Sequence, residues 1–110
     1  MATTYKILGQ ASPSNTSANT LYTVPGSTST VVSTITATNV SGTADTISIF
    51  IVASGDSPTT ANALVSGAEL AANSVQAFTI GVTLADGDTI SVQSTTGSST
   101  TYQAFGSEIS

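Results

Sequence analysis

The chain has 110 residues, a net charge of −5 and only 6% charged residues, and it contains no histidine, cysteine or tryptophan. Without imidazole or thiol groups, it lacks the usual proton shuttles, thiolate nucleophiles and zinc ligands. Its single basic residue excludes the clustered positive charge that binds a nucleic-acid backbone. Eighteen serines and 21 threonines supply the polarity instead, and threonine suits a half-buried pleated surface. This composition favours a small β-rich domain with a binding or structural role, and it does not favour an enzyme.

The length predicts a single domain over residues 1–110, large enough to bury one hydrophobic core. Because the chain has no cysteine, no disulfide stabilises that core, and packing and partner contacts must suffice. The longest apolar stretch, Ile47 to Ala53, is too short to cross a bilayer, and the first residues lack the apolar run of a signal peptide. We therefore expect no membrane association and release into the cytoplasm of the cell that makes the protein.

The first predicted strands are an edge strand and a long strand that follows it. Leu21 to Val24 forms the short edge strand, and Pro25-Gly26 ends it in a turn with glycine at the second central position. The next segment alternates with a period of two, which is typical of a half-buried strand. Its residues divide into a predicted core face of Val31, Ser33, Ile35 and Ala37 and a predicted solvent face of Val32, Thr34, Thr36 and Thr38.

The segment from Asp45 to Ala53 is apolar on both faces of a predicted strand. Such a strand is either central in the fold and covered on both sides, or part of an interface. The apolar surface exceeds what one sandwich core needs, so we expect the excess to be buried against another subunit in a homo-oligomer. The two faces consist of Ile47, Ile49 and Ile51 on one side and Phe50 and Val52 on the other.

The remaining segments predict short strands separated by turns and loops. Ala61 to Leu70 has weak helix propensity, which Gly67 lowers further. The predicted turns are Val40 to Ala44 and Leu84 to Asp88, and the predicted loops are Ala11 to Thr20 and Ser54 to Asn62. The predicted strands are Ala77 to Ile80, Thr89 to Val92 and Tyr102 to Phe105, the last of which ends at Phe105-Gly106. Seven or eight short strands separated by turns indicate an antiparallel sandwich or a small barrel, and we predict an all-β fold, an antiparallel β-sandwich of Ig-like or jelly-roll-like type.

Candidate catalytic groups are few. A serine or threonine nucleophile needs a neighbouring base, and the one amine base, Lys6, has Thr3 as its partner at the usual spacing. Paired carboxylates can hydrolyse sugars, but few aromatic residues are present to hold a sugar ring. The carboxylates considered are Glu69, Asp86, Asp88 and Glu108. We interpret all of them as solvated turn residues and predict no catalytic residue.

Candidate ligand sites are equally weak. Asp86-Gly87-Asp88 offers the oxygen ligands that calcium prefers, but the spacing lacks the remaining acidic ligands of a calcium loop. Tyr5, Tyr22 and Tyr102 form a ligand patch only if the fold brings them together. More often such residues are core side chains with the hydroxyl group at the rim. We therefore predict no metal site, no cofactor site and no cofactor.

Several short motifs resemble one known family. They are Leu8-Gly9-Gln10, Leu21-Tyr22-Thr23-Val24-Pro25-Gly26 leading into Val31-Val32-Ser33-Thr34-Ile35, Gly81-Val82-Thr83-Leu84 with Asp88, and Phe105-Gly106-Ser107-Glu108-Ile109. Over the whole chain, this frame is similar to that of small virion proteins of tailed bacteriophages, of the type found in marine phages and cyanophages. The motifs are structural, and no functional residue is carried over from them.

The resemblance implies a phage virion structural protein, most simply a capsid cement or decoration protein that binds the shell in many copies and stabilises it. Its implied partner is the major capsid protein or another virion protein, and a homotrimer is the implied assembly. The expected location is the virion, assembled in the host cytoplasm. The alternative is a tail- or fibre-associated adaptor or adhesion module that binds a host-surface glycan or another virion protein. Expected contact regions are the N-terminal segment through Gln10 and the loop Ser54 to Asn62.

Overall fold

The computed structural model describes residues 2–110, which form nine β-strands and one turn of 3-10 helix. Together the strands account for most of the described chain, as the period-two patterns predict. The elements in chain order are β1 (Thr3–Ala11), β2 (Asn19–Thr23), β3 (Ser29–Asn39), β4 (Asp45–Val52), the 3-10 helix (Thr60–Asn62), β5 (Ala63–Leu70), β6 (Val75–Phe78), β7 (Val82–Leu84), β8 (Thr89–Ser94) and β9 (Thr100–Ile109). No helix in this described part of the chain is long and apolar enough to cross a membrane.

The strands form two antiparallel sheets packed face to face, which confirms the predicted all-β sandwich. Sheet A has the order β1-β9-β3-β6, and β7 pairs with the other half of the same edge of β3. Sheet B has the order β2-β8-β4-β5. The first and last strands are neighbours, and the chain alternates between the sheets in the pattern of a jelly roll, with β6 and β7 sharing one strand position. Of the two predicted topologies, the strand order matches the jelly roll.

The core lies between the inner faces of the two sheets. Its fully buried side chains come from the middle strands of both sheets, as expected where every second residue faces the partner sheet. Ile35 and Tyr102 come from sheet A, while Ile49, Ile90 and Val92 come from sheet B, and each of the five is at most 1% exposed.

The predicted inward face of β3 is correct for its second half and wrong for its first half. Ile35 and Ala37 are buried as predicted, but Val32 is buried while Val31 and Ser33 are exposed. The cause is a β-bulge, because the pairing of β3 with β9 shifts by one residue between Val32 and Thr34. The extra residue, Ser33, donates its hydroxyl group to the Phe105 carbonyl oxygen at 3.1 Å. A bulge reverses the inward phase of a strand, which a strict alternation cannot predict.

The strand β4 is covered on both faces by its own chain. Ile47 and Ile49 face the core, and Phe50 and Val52 point to the opposite side of sheet B yet are only 8% and 3% exposed. The 3-10 helix after β4 contacts this strand. The prediction of a central strand that is covered on both sides is therefore correct. The expectation that the second face supplies free apolar surface for another subunit is wrong.

Other segments differ from their predictions in extent or type. Ala63–Leu70 is a strand, and Gly67 has the positive φ of 66° that a bulge in this strand requires. In the predicted N-terminal contact segment, Thr3 to Gln10 belong to β1, which pairs with β9. The strand β9 continues through Gly106 to Ile109 and does not end at Phe105.

The bounds of one predicted turn, one predicted strand and two predicted loops need correction by one or two residues. The turn between β2 and β3, which lie in different sheets, is centred on Gly26-Ser27, and Ser27, not the glycine, has the positive φ of 59°. Of the predicted strand Ala77 to Ile80, only Ala77 and Phe78 are in a strand, β6, and the rest belongs to the connection before β7. The predicted loops Ala11 to Thr20 and Ser54 to Asn62 do separate strands, although Ala11 and the pair Asn19-Thr20 belong to the flanking strands and the 3-10 helix occupies the end of the second loop.

Candidate functional site

The outer face of sheet A is the most distinctive surface of the molecule. Cross-strand pairs lie on the same face of a sheet, so the register defines which side chains share it. Ile7 pairs with Phe105, Tyr5 pairs with Ser107, and Ser107 also pairs with Val31. The outer face comprises Thr3, Tyr5, Ile7 and Gln10 of β1, Thr101, Gln103, Phe105, Ser107 and Ile109 of β9, Ser29, Val31, Ser33, Thr34, Thr36 and Thr38 of β3, Val75 and Ala77 of β6, and Thr83 of β7.

This outer face carries most of the exposed bulky apolar side chains of the described chain. Tyr5 is 84% exposed, Val75 62%, Ile7 52% and Val31 38%. The other two exposed bulky side chains among residues 2–110 lie elsewhere, in the connections after β3 and β6. Scattered exposed apolar residues are ordinary, but the presence of four of them on one sheet face makes this face the candidate interaction surface.

None of the seven charged side chains lies on the outer face of sheet A. Lys6 and Glu108 lie on the opposite, inner side of their strands, and the Lys6 Nζ contacts Glu108 Oε1 at 3.3 Å. The remaining five carboxylates belong to sheet B or to connections. They are Asp45, Asp56, Glu69, Asp86 and Asp88. The outer face therefore offers only apolar, hydroxyl and amide groups to a partner.

Glu108 joins the two sheets through Tyr22 on the edge strand of sheet B. The Tyr22 hydroxyl group donates to Glu108 Oε2 at 2.6 Å, and it accepts from Thr30 Oγ1 at 2.8 Å because its single hydrogen is already used. Burial, followed by the hydrogen bond to Glu108, raises the pKa of Tyr22 to about 12. The hydrogen bond from Tyr22, assisted by Lys6, holds the pKa of Glu108 below its usual value. This network stabilises the fold and leaves no free catalytic group.

Asp45 is a buried carboxylate that orders the loop between β8 and β9. Its Oδ2 accepts from the Ser99 and Thr100 hydroxyl groups at 2.8 and 2.7 Å. Its Oδ1 accepts from Thr95 Oγ1 and from the backbone N–H groups of Thr46 and Thr96. Burial alone would raise the pKa of Asp45, but the hydrogen bonds outweigh it and lower the pKa. Every acceptor position is used, which identifies a structural carboxylate.

The sequence Asp86-Gly87-Asp88 forms a turn, as the plain interpretation predicts. Asp88 Oδ1 accepts from the Ser54 N–H at 2.9 Å, and its Oδ2 accepts from the Ala85 N–H at 2.9 Å. Asp86 Oδ2 accepts from the Ser27 N–H at 2.8 Å. These carboxylates fix three connections at one end of the sandwich. Within residues 2–110, no group of three His, Cys, Asp or Glu side chains is placed to hold a metal ion.

The other candidate groups are not brought together either. Lys6 and Thr3 pair with different residues of β9 on opposite faces of β1, and Lys6 is engaged by Glu108. Tyr22 and Tyr102 are buried in the core, whereas Tyr5 stands on the outer face of sheet A. Tyr102 donates to the Gln93 carbonyl oxygen at 3.1 Å, and burial raises its pKa to about 12. The tyrosines therefore form no common ligand patch.

A second surface feature is a polar groove on sheet B. It has a volume of about 430 Å³, which lies in the range of small-molecule sites. Gln93 Nε2 donates to the Thr16 carbonyl oxygen at 3.1 Å, and Ser48 Oγ accepts from the Gly67 N–H at 3.0 Å. The groove is lined by Thr16, Thr46, Ser48, Ser66, Gly67, Gln93, Ser94 and Thr95. The lining contains no charged and no aromatic side chain.

Comparisons with known proteins give little further information. No protein-family model matches the chain, and no curated protein matches it. The chain is similar to a chain in the structure of infectious bursal disease virus, Gx strain, with 13% sequence identity and a TM-score of 0.48. The match covers 97% of this chain and 31% of that chain, so this chain spans under a third of its length. We draw no functional argument from a similarity at this level.

Proposed function

We propose that this chain is a structural protein of a virion, a capsid cement or decoration protein that binds the shell in many copies and stabilises it. The observation that carries the proposal is a compact jelly-roll sandwich with one uncharged, partly apolar sheet face and no assembled catalytic or metal-binding group among residues 2–110. Such a molecule can contribute contact surface, whereas catalysis requires a positioned reactive group.

The resemblance of the motifs to small tailed-phage virion proteins supports the same proposal. In this fold the motif residues have structural roles, as that resemblance implies. A side chain at Gly106 would collide with the Val31 carbonyl oxygen, and one at Gly9 would collide with that of Leu21. Asp88 accepts hydrogen bonds from two backbone N–H groups and so fixes the turn that follows Gly81-Val82-Thr83-Leu84. The motifs therefore specify the sandwich itself.

We further propose that apolar and hydroxyl contacts attach the protein to the shell. With seven charged side chains in 110 residues, the protein has few groups that can form ion pairs with the shell. Every residue from Ser54 to Ala61, in the connection between β4 and β5, is exposed, and we propose this segment as one contact with the shell. At 1 M salt the Debye length is about 3 Å, so ion pairs are screened while apolar burial is not. Particles should therefore retain the protein in 1 M NaCl.

Electron microscopy of particles with and without the protein tests the proposed role. We expect regularly repeated density on the shell that disappears when the protein is removed. Density confined to the tail or fibres, or release of the protein from the shell in 1 M NaCl, would contradict attachment as a cement protein. The purified protein should show no metal-dependent or metal-independent hydrolysis of peptides, esters or glycans.

The polar groove on sheet B favours a second candidate function, adhesion to a neutral glycan as a tail- or fibre-associated module. Hydroxyl and amide groups suit an uncharged sugar, but the groove lacks the aromatic platform on which sugar rings usually stack. Titration with neutral oligosaccharides tests this function, with Gln93→Ala as the groove variant and Gln103→Ala, on the other sheet, as the matched control. Saturable binding that only the first variant abolishes would favour adhesion over the cement role.

A further inference from the structure

We infer that the outer face of sheet A packs against the same face of a second copy of this chain, so that the protein is a dimer in solution. The inference concerns self-association only, and it does not depend on the proposed virion role. It replaces the β4 surface as the subunit interface, since Phe50 and Val52 are already covered within one chain.

The exposure of the side chains on the two sheets points to sheet A. The bulky outward residues of β4 in sheet B are almost fully buried by the chain itself. In sheet A, the outward residues Tyr5, Ile7, Val31 and Val75 remain exposed. Phe105 pairs with Ile7 in the register and extends the apolar area from β1 to β9. A single chain thus leaves one side of its sandwich uncovered.

The size of this face matches what a specific dimer needs. The strand β9 has 10 residues, which at about 3.3 Å per residue gives a length of about 33 Å. Four strand positions at a spacing of about 4.8 Å give a width of about 19 Å, and hence a planar area of about 600 Å². Two such faces together provide about 1,200 Å², which reaches the lower end of the range for specific interfaces.

The distribution of charge favours a second copy over a charged partner. Each chain has a net charge of −5, so two copies repel wherever their carboxylates approach each other. The outer face of sheet A contains none of these carboxylates and not the one lysine, so it also lacks the opposite charges that a charged macromolecule would need when desolvated. Apolar side chains interspersed with uncharged hydroxyl and amide groups allow the face to pack against itself. An isologous contact of this kind closes after two copies.

Sedimentation equilibrium or light scattering of the purified protein at about 100 μM tests the inference. We expect the mass of a dimer for the wild type and of a monomer for Tyr5→Asp and for Val31→Asp. The matched control is Val40→Asp in the β3–β4 turn, which places the same charge on an apolar residue whose exposure of 59% lies between those of Val31 and Tyr5, and it should leave the dimer intact. Circular dichroism of each variant establishes that the sandwich is retained, and the high exposure of Tyr5 makes loss of folding at that site unexpected.

Three results would overturn the inference. A wild-type protein that is monomeric at this concentration has no such interface. A trimer, which the phage resemblance implies, requires a different contact geometry. Equal dissociation by Val40→Asp and Tyr5→Asp would show a general charge effect. If the wild type is monomeric and Tyr5→Asp abolishes loading onto particles, the face binds the shell, so the dimer fails while the virion role stands.

Discussion

The Tyr22 hydroxyl group donates a 2.6 Å hydrogen bond to Glu108, which links the edge strand of sheet B to the last strand of sheet A. Hydrogen bonds to charged groups contribute about 1.5–3 kcal/mol, roughly twice the contribution of neutral ones. Glu108 also contacts Lys6, so one carboxylate connects strands β1, β2 and β9. This hydrogen-bonded connection between the two sheets adds to the stability that the apolar packing between them provides.

Tyr22→Phe should therefore lower the free energy of unfolding by about 1–3 kcal/mol, because it removes the donor to Glu108 and leaves the buried Thr30 without its acceptor. Urea titration of the variant and the wild type measures the change. Thr43→Val, which removes an exposed hydroxyl group in the β3–β4 turn, is the control, and its effect should stay within about 0.5 kcal/mol. Equal stability of the two variants would show that the link between the sheets contributes nothing.

Asp45→Asn should destabilise the protein by about 1–3 kcal/mol at neutral pH, because an amide cannot accept every hydrogen bond that the carboxylate accepts. Asp56→Asn, in the exposed loop before the 3-10 helix, is the matched control and should have little effect. Chemical denaturation at neutral pH measures both changes.

The same carboxylate predicts how stability depends on acid. The pKa of Asp45 is lower in the folded protein than its usual value of 3.8. Its stabilising contribution is therefore complete above the unfolded pKa, and it is lost as the pH falls through the folded pKa. Denaturation curves from pH 6 down to about pH 2 should show a steeper loss of stability for the wild type than for Asp45→Asn. Parallel curves for the two proteins would contradict the assigned role.

At alkaline pH the buried tyrosines should limit stability. Burial raises the pKa of both Tyr22 and Tyr102 to about 12, from an unfolded value of 10.0. A raised pKa gives a contribution that is complete below pH 10 and is lost as the pH rises through 12. An ultraviolet titration should show these two phenols ionising together with unfolding, and Tyr22→Phe should reduce the pH dependence. Ionisation of both groups near pH 10 in the folded protein would contradict their burial.

Gly106→Ala should be strongly destabilising, by about 2 kcal/mol or more, because the new Cβ would collide with the Val31 carbonyl oxygen and approach the Val32 Cα. The strand β3 cannot move away from β9 without breaking the pairing on both sides of the bulge. Gly42→Ala is the matched control, since nothing lies within 4 Å of its ideal Cβ, and it should change stability by less than about 1 kcal/mol. Thermal unfolding of the two variants compares the effects.

The sequence predicts the sandwich because local alternation reports inward and outward positions directly. The alternation in Asp45 to Ala53 correctly places Ile47 and Ile49 inward. It fails in β3, where the bulge at Ser33 exchanges Val31 and Val32, and bulges depend on the partner strand. The strand β1 shows no clear pattern because its exposed Tyr5 and Ile7 are more apolar than its inward Lys6.

The outer face of sheet A could not be predicted from the sequence, because its composition depends on how the strands pair. The alternation in β3 predicts Val31 in the core, and the residues around Tyr5 do not indicate whether its side chain is covered. The role of Asp45 also depends on distant residues, since Ser99 and Thr100 follow it by more than 50 positions. Short motifs indicate turns and close approaches, but the composition of a sheet face emerges only when the register of four strands is known.

The most direct test of the proposed virion role is the resistance of particles to heat and osmotic shock, measured as release of the packaged nucleic acid. Particles that lack the protein should release it at a lower temperature than wild-type particles, and addition of the purified protein should restore resistance in 1 M NaCl as well as in low salt. Particles without the protein that are as robust as the wild type would contradict the cement role.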